Sequence, residues 1–115
     1  MTFNIVERDG IVILKVEGEL RLTEQPPLAL TMQKLVIEQL EGGKKKFILD
    51  FKKVDFIDSY GIGDLVASYV SAQNKGAKLR IANLSLKVRL VLNYCGIPKI
   101  IEIFDDEESA VKSFR

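Results

Sequence analysis

Val54-Asp55-Phe56-Ile57-Asp58-Ser59-Tyr60-Gly61-Ile62-Gly63-Asp64-Leu65 lies between two stretches of different period, and its reading decides the fold. Before it, Phe47-Ile48-Leu49-Asp50-Phe51 is a short, mostly apolar run of strand type. After it, Ile62, Leu65, Val66, Tyr69 and Val70 follow the i, i+3, i+4, i+7, i+8 spacing of one buried helix face. The stretch is therefore a strand-to-helix turn with Asp58 or Ser59 as the N-cap. A serine oxygen there meets unpaired N–H groups and the positive end of the helix dipole, so it is held, exposed and tolerant of added negative charge. Gly61 and Gly63 take side chains away from the same turn and leave room for another backbone or a partner.

Working outward, Phe3–Arg8 and Ile11–Val16 read as strands joined at Asp9-Gly10, a two-residue hairpin turn. The second is apolar at nearly every position, as in a strand covered on both faces, and the first is mixed, as at a sheet edge. Glu19 to Thr23 then connects to a helix with Leu28, Met32, Leu35, Val36 and Leu40 on its apolar face, capped by Thr23 and ended by Gly42-Gly43. Beyond the Ser59 helix, Asn74-Lys75-Gly76 is a stop and Lys78–Asn83 a strand. Ser85 caps a helix with Val88, Val91, Leu92 and Cys95 inward, closed by Gly96-Ile97-Pro98. Lys99–Phe104 reads as the last strand, and Asp105 with Glu108 has capping-box spacing for a short final helix docked through Ala110, Val111 and Phe114. The order ββαβαβαβα predicts one α/β domain over residues 1–115, with a mixed, mostly parallel sheet of about five strands and about four helices. Parallel strands release their connections at one sheet end, which would set Glu19 to Thr23 beside Ser59.

Asp58-Ser59-Tyr60-Gly61-Ile62-Gly63, preceded by Leu49-Asp50-Phe51 and Val54-Asp55-Phe56-Ile57, resembles the signature of STAS domains, specifically free-standing bacterial anti-sigma factor antagonists. The likeness covers nearly the whole chain and implies a SpoIIAA-like fold. It also implies a function: the unphosphorylated protein binds an anti-sigma factor serine kinase and frees its sigma factor, and phosphorylation of the serine after the signature Asp, by position Ser59, ends the binding. The implied contact surface is Glu19, Arg21, Thr23, Asp55, Asp58, Ser59, Tyr60, Gly61 and Ile62. Tyr60 stands where the family often has a second Ser or Thr, and Arg21 where it often has an Asp.

Composition narrows the alternatives. The chain has 115 residues, 47% hydrophobic and 29% charged, with 17 basic and 16 acidic side chains giving a net charge of +1. That balance, with Lys44-Lys45-Lys46 as the one dense basic run, argues against a nucleic-acid partner. No apolar stretch reaches the roughly 18 residues of a membrane span, and a single cysteine without a basic-then-apolar leader points to the cytoplasm. There is no histidine, which removes Ser-His-Asp and Cys-His nucleophile pairs and leaves poor zinc ligands, so neither an enzyme nor a metal or cofactor site is expected. Asp50 reads as an exposed strand-end carboxylate, because the acidic pair and lysine of a receiver domain are lacking. Cys95 reads as a small core residue. Gly61-Ile62-Gly63 is a weak phosphate-loop match, lacking a third glycine and Gly-Lys-Ser/Thr, and it supports only a rival reading as a nucleotide- or small-ligand-binding STAS module.

Overall fold

The computed structural model describes residues 2–21 and 31–115. Thr23 and Leu28, the expected cap and first apolar residue of the first helix, lie outside the described residues. Strands β1 (Thr2–Arg8) and β2 (Ile11–Leu20) form the expected hairpin, and Asp9 and Gly10 take φ of 53° and 76°, the paired left-handed turn that matches strand twist. Helix α1 (Thr31–Glu41) is followed by β3 (Lys46–Ile57), α2 (Ser59–Asn74), β4 (Lys78–Ala82), α3 (Leu86–Tyr94), β5 (Ile103–Phe104) and α4 (Glu107–Lys112). The five strands lie in sequence order; β1 is antiparallel to β2, and every later pair is parallel. β1 is indeed the mixed edge strand.

Alternation along the central strands separates two cores. On one face Val12, Leu14, Val16, Phe47, Leu49 and Phe51 pack with Met32 and Val36 of α1, Leu65 and Ala72 of α2, and Val88 and Leu92 of α3. On the other, Ile11, Ile13, Ile48 and Ala82 meet Ala110 and Val111 of α4, with Phe114 alongside. Burial of each such side chain contributes about 1.5–3 kcal/mol, so a chain of this size holds its sheet without crosslinks.

Several sequence expectations change in the structure. β2 and β3 are longer than their apolar runs: β2, expected to end at Val16, continues to Leu20 and takes in the start of the expected Glu19 to Thr23 connection, and β3 continues through the signature to Ile57. The reason is pairing. Glu19 registers with Phe56 and Leu20 with Ile57, so each polar stretch is held by its neighbour rather than by its own composition. Asp50 is 6% exposed, not an open strand end; it accepts hydrogen bonds from the Lys52 amide (2.9 Å) and the Asn83 side chain (3.0 Å). The predicted last strand shrinks to two residues, because Gly96 at φ 77° and Pro98 lead into a 3-10 turn at Ile97–Lys99 that buries Ile97 and Ile101.

Asp106, not Asp105, caps α4, accepting from the Ser109 amide at 2.7 Å, while Asp105 pairs with Arg89 and Glu108 with Arg8. Cys95 is exposed, since α3 ends just before it and turns away at Gly96. Val70 is 45% exposed because the buried line of α2 runs through Gly61, Asp64, Leu65, Ser68 and Ala72 instead. Two of those five are polar, which an apolar-period count passes over.

Candidate functional site

The signature turn is built by backbone pairing before any side chain acts. Where β2 ends, the Leu20 carbonyl accepts from the Asp58 amide at 3.0 Å, tying the close of β3 to the close of β2. Asp58 is extended, at φ −109° and ψ −173°, and its carboxylate accepts from the Gly61 amide at 3.0 Å, so Asp58 is the N-cap of α2. Ser59 is then the first helical residue, and it is exposed. Its hydroxyl stands at the positive end of a 16-residue helix whose first turn has no acidic residue. Such a place favours an added anion.

Gly61 and Gly63 have different jobs. Gly61 is buried, and a methyl group there would lie 2.4 Å from the Leu20 carbonyl oxygen and 2.8 Å from both Leu20 Cβ and Ile57 Cγ1. Its missing side chain lets β2 and α2 touch, so Gly61 supports the turn and presents no surface. Gly63 is exposed with nothing within 4 Å of a methyl group placed on it. Only Gly63 opens the turn to an approaching molecule.

Around Ser59 the structure brings together most of the expected contact residues. Glu19 and Arg21 are exposed and paired at 2.8 Å, and the Arg21 guanidinium lies 5.1 Å from the centre of the Phe56 ring. Lys87, from the first turn of α3, lies 5.7 Å from the same ring. Phe56 thus carries two cations, an arrangement that stabilises by cation–π attraction and keeps positive charge near the turn. Asp55 is exposed where β3 carries one more residue than β2 between the Gly18–Val54 and Glu19–Phe56 pairs. Ile62 is half-buried and packs on the core, so only part of it is open. Tyr60 is half-buried, and burial, then the nearby Asp64 charge, holds its hydroxyl above the ordinary phenol value, so it stays protonated at neutral pH.

Sequence reasoning missed Asp64. It is 2% exposed and sits one helical turn beyond Tyr60, where its two oxygens accept from the Met32 amide (2.9 Å) and the Gln33 amide (2.9 Å) at the start of α1. A side chain of α2 therefore caps a neighbouring helix. Burial pushes its pKa up, and the two amides pull it partly back. The one available signal was an acid next to Leu65 on the buried side of α2. Lys87 was also missed, because nothing local places α3 against Phe56.

Among the described residues no cluster of three or more metal-ligating side chains occurs, and no helix is long and apolar enough to cross a membrane. The arrangement holds an exposed hydroxyl in a capped, dipole-biased turn beside charged side chains and an aromatic face.

An α/β sheet in this order, with a capped Asp-Ser turn after its central strand, is the architecture of a STAS domain, and the STAS domain model matches residues 2–110. The chain belongs to the STAS family. Its curated relatives narrow the class: it is 24% identical over 102 residues to the anti-sigma F factor antagonist of Paenibacillus polymyxa, covering 89% of this chain and 85% of that one. It is 25% identical over 109 residues to the anti-sigma-B factor antagonist of Bacillus subtilis, covering 95% of each. The solution structure of TM1081, a Thermotoga maritima protein, superposes with a TM-score of 0.82 at 26% identity over 97% of this chain and 87% of that one. The fold alone is shared, at 20% identity and TM-score 0.71 in each case, with unphosphorylated SpoIIAA (99% and 98% coverage) and with a sulfate transporter family protein of Wolinella succinogenes (94% and 87%).

Proposed function

We propose that this protein is an anti-sigma factor antagonist that works as a phosphoswitch: unphosphorylated, it binds an anti-sigma factor serine kinase and so frees a sigma factor, and phosphorylation of Ser59 ends that binding. The observation that carries this reading is the placement of Ser59, an exposed hydroxyl at the first residue of α2 behind a side-chain cap. The names of the two curated relatives support the sigma-factor role. The contact surface is Glu19, Arg21, Asp55, Asp58, Ser59, Tyr60 and the open part of Ile62, with Phe56 and Lys87 added from the geometry; Thr23 is kept on the strength of the sequence. The chain is the substrate, and the ATP chemistry belongs to the kinase.

The switching energy comes from a contrast of environments. A phosphate adds about −1.5 to −2 charges, which the amides of the α2 N-terminus accept at small cost to the fold. In a closed interface the same group must be desolvated and given room. Binding suffers, and folding does not.

Two experiments test this. Wild-type and Ser59→Asp baits, both checked by circular dichroism, are used to capture proteins from lysate of the source organism; a kinase-like protein retained by wild type and lost by Ser59→Asp is the expected result, and equal retention by both refutes the switch. Gly63→Ala supplies the second. Alanine in place of an exposed helical glycine stabilises by about 0.5–1 kcal/mol, and the added methyl enters the approach path. The variant is therefore expected to melt higher than wild type while binding that partner more weakly, and unchanged binding would remove Gly63 from the interface.

A further inference from the structure

The second face of the sheet is only partly covered. Along β1, β2 and β3 it changes from the apolar row Val6, Ile13 and Ile48, under α4, to the polar row Asn4, Lys15 and Asp50, with Thr2 and Glu17 registered opposite each other one row further out. Over this polar half lies an open cavity of about 390 Å³ whose polar lining is Thr2, Asn4, Lys15, Glu17, Asp50, Lys52 and Lys53, with Phe3 and Val16 also bordering it. That volume is in the range of small-molecule sites. The cavity is distinct from the Ser59 turn, which neither shares nor lines it.

A β-bulge supplies the charge. Lys15 pairs with Asp50, but Glu17 pairs with Lys53, so β3 has one residue more than β2 across this interval. Phe51 and Val54 both enter the first core, and the two exposed residues between them, Lys52 and Lys53, both line the cavity. Without the extra residue, strict alternation would send one of them to the other face. The Lys52 amide donates to Asp50, which also accepts from Asn83, so the bulge is pinned from beneath. Lys15 is already matched to Glu107 at 3.8 Å. Among the described residues the Lys52 and Lys53 ammoniums have no ion-pair partner.

We infer that this cavity binds a soluble, hydroxyl-bearing phosphate monoester of sugar-phosphate size, with Lys52 and Lys53 on the phosphate. Two adjacent ammoniums outside any ion pair suit a dianion better than a single carboxylate. Thr2 and Asn4 add neutral donors. Glu17, an acceptor on the same wall, repels a bare anion but accepts from a hydroxyl, so the ligand carries hydroxyls on its body.

The test is a titration of the ¹⁵N-labelled protein with glucose 6-phosphate at physiological salt, followed by amide NMR shifts, with glucose and inorganic phosphate as controls. The expected result is a saturable shift confined to the amides around Asn4, Val16 and Asp50 to Lys53, tighter than for either control and unchanged in Ser59→Ala. A double variant, Lys52→Ala with Lys53→Ala, alters only exposed side chains and is expected to weaken binding about tenfold or more while its circular dichroism stays that of wild type. Absence of saturation, equal shifts with glucose, binding of inorganic phosphate as tight as the ester, or full binding by the double variant would each overturn the inference.

Discussion

Gly61→Ala is expected to destabilise the protein by about 3 kcal/mol and to lower its thermal midpoint by roughly 10 °C or more, followed by far-ultraviolet circular dichroism. Overpacking of a flexible side chain can be relieved by a rotamer change, but here the nearest atom is backbone: the new methyl would meet the Leu20 carbonyl oxygen at 2.4 Å. That carbonyl is itself fixed, accepting from the Asp58 amide at 3.0 Å, and Leu20 registers with Ile57 in the sheet. Relief therefore requires β2 and the start of α2 to separate, which loosens the turn that carries Ser59. Gly63→Ala, two residues along the same helix with open space around it, provides the contrast of opposite sign. A Gly61→Ala midpoint within a few degrees of wild type would mean that the close approach of β2 to α2 is not required by the fold.

Asp64→Ala has the second large effect, a loss of about 3 kcal/mol in denaturant unfolding, because two amides at the start of α1 lose charge-assisted hydrogen bonds in a buried place. Asp64→Asn keeps one acceptor oxygen and is expected to lose about half as much. The pH dependence has a defined sign. Burial raises the folded-state pKa of Asp64, so the folded protein holds that proton more tightly than the unfolded chain does. Its linkage contribution is fully present below the ordinary aspartate value and is lost as pH rises through the folded-state value. Wild type should accordingly gain stability relative to Asp64→Asn as pH falls from neutrality. Taking the difference between the two proteins cancels Asp106 and Glu108, whose pKa values are lowered by the Ser109 hydrogen bonds and by the Arg8 hydrogen bond respectively and which act with the opposite sign. A difference that is flat with pH, or that favours the Asn variant in acid, would contradict the burial argument.

These residues also mark what could be read in the sequence. Helix and strand order, the hairpin at Asp9-Gly10, the cap at Ser85, the cap of α2, read as Asp58 or Ser59 and found at Asp58, and the stop at Gly96 are local, each set by a few neighbouring residues, and all are present in the structure. The strand character of Gly18 to Leu20 depends on β3, tens of residues away, and has no local cue. The same holds for the burial of Asp50 and Asp64: a carboxylate enters a core only when amides from other elements meet it, and Asn83, Met32 and Gln33 are distant in the chain. The place of Ser59 at the start of α2 was legible because the capping pair Asp58-Ser59 is followed within a few residues by the helical apolar period. Lys87 was not, since its place over Phe56 is set by how α3 lies on the sheet. The bulge that sets Lys52 and Lys53 side by side depends on the register with β2 and has no local cue.

The most direct measurement is phosphosite mapping coupled to binding. The protein retained by the wild-type bait is purified and incubated with ATP and with wild-type or Ser59→Ala protein, and the products are analysed by peptide mass spectrometry and re-tested for binding. The expected result is a single phosphate on the peptide containing Ser59, none on the Ser59→Ala chain, and loss of binding in step with phosphate incorporation. Phosphate elsewhere, or a phosphorylated Ser59 that still binds as tightly as the unmodified protein, would contradict it.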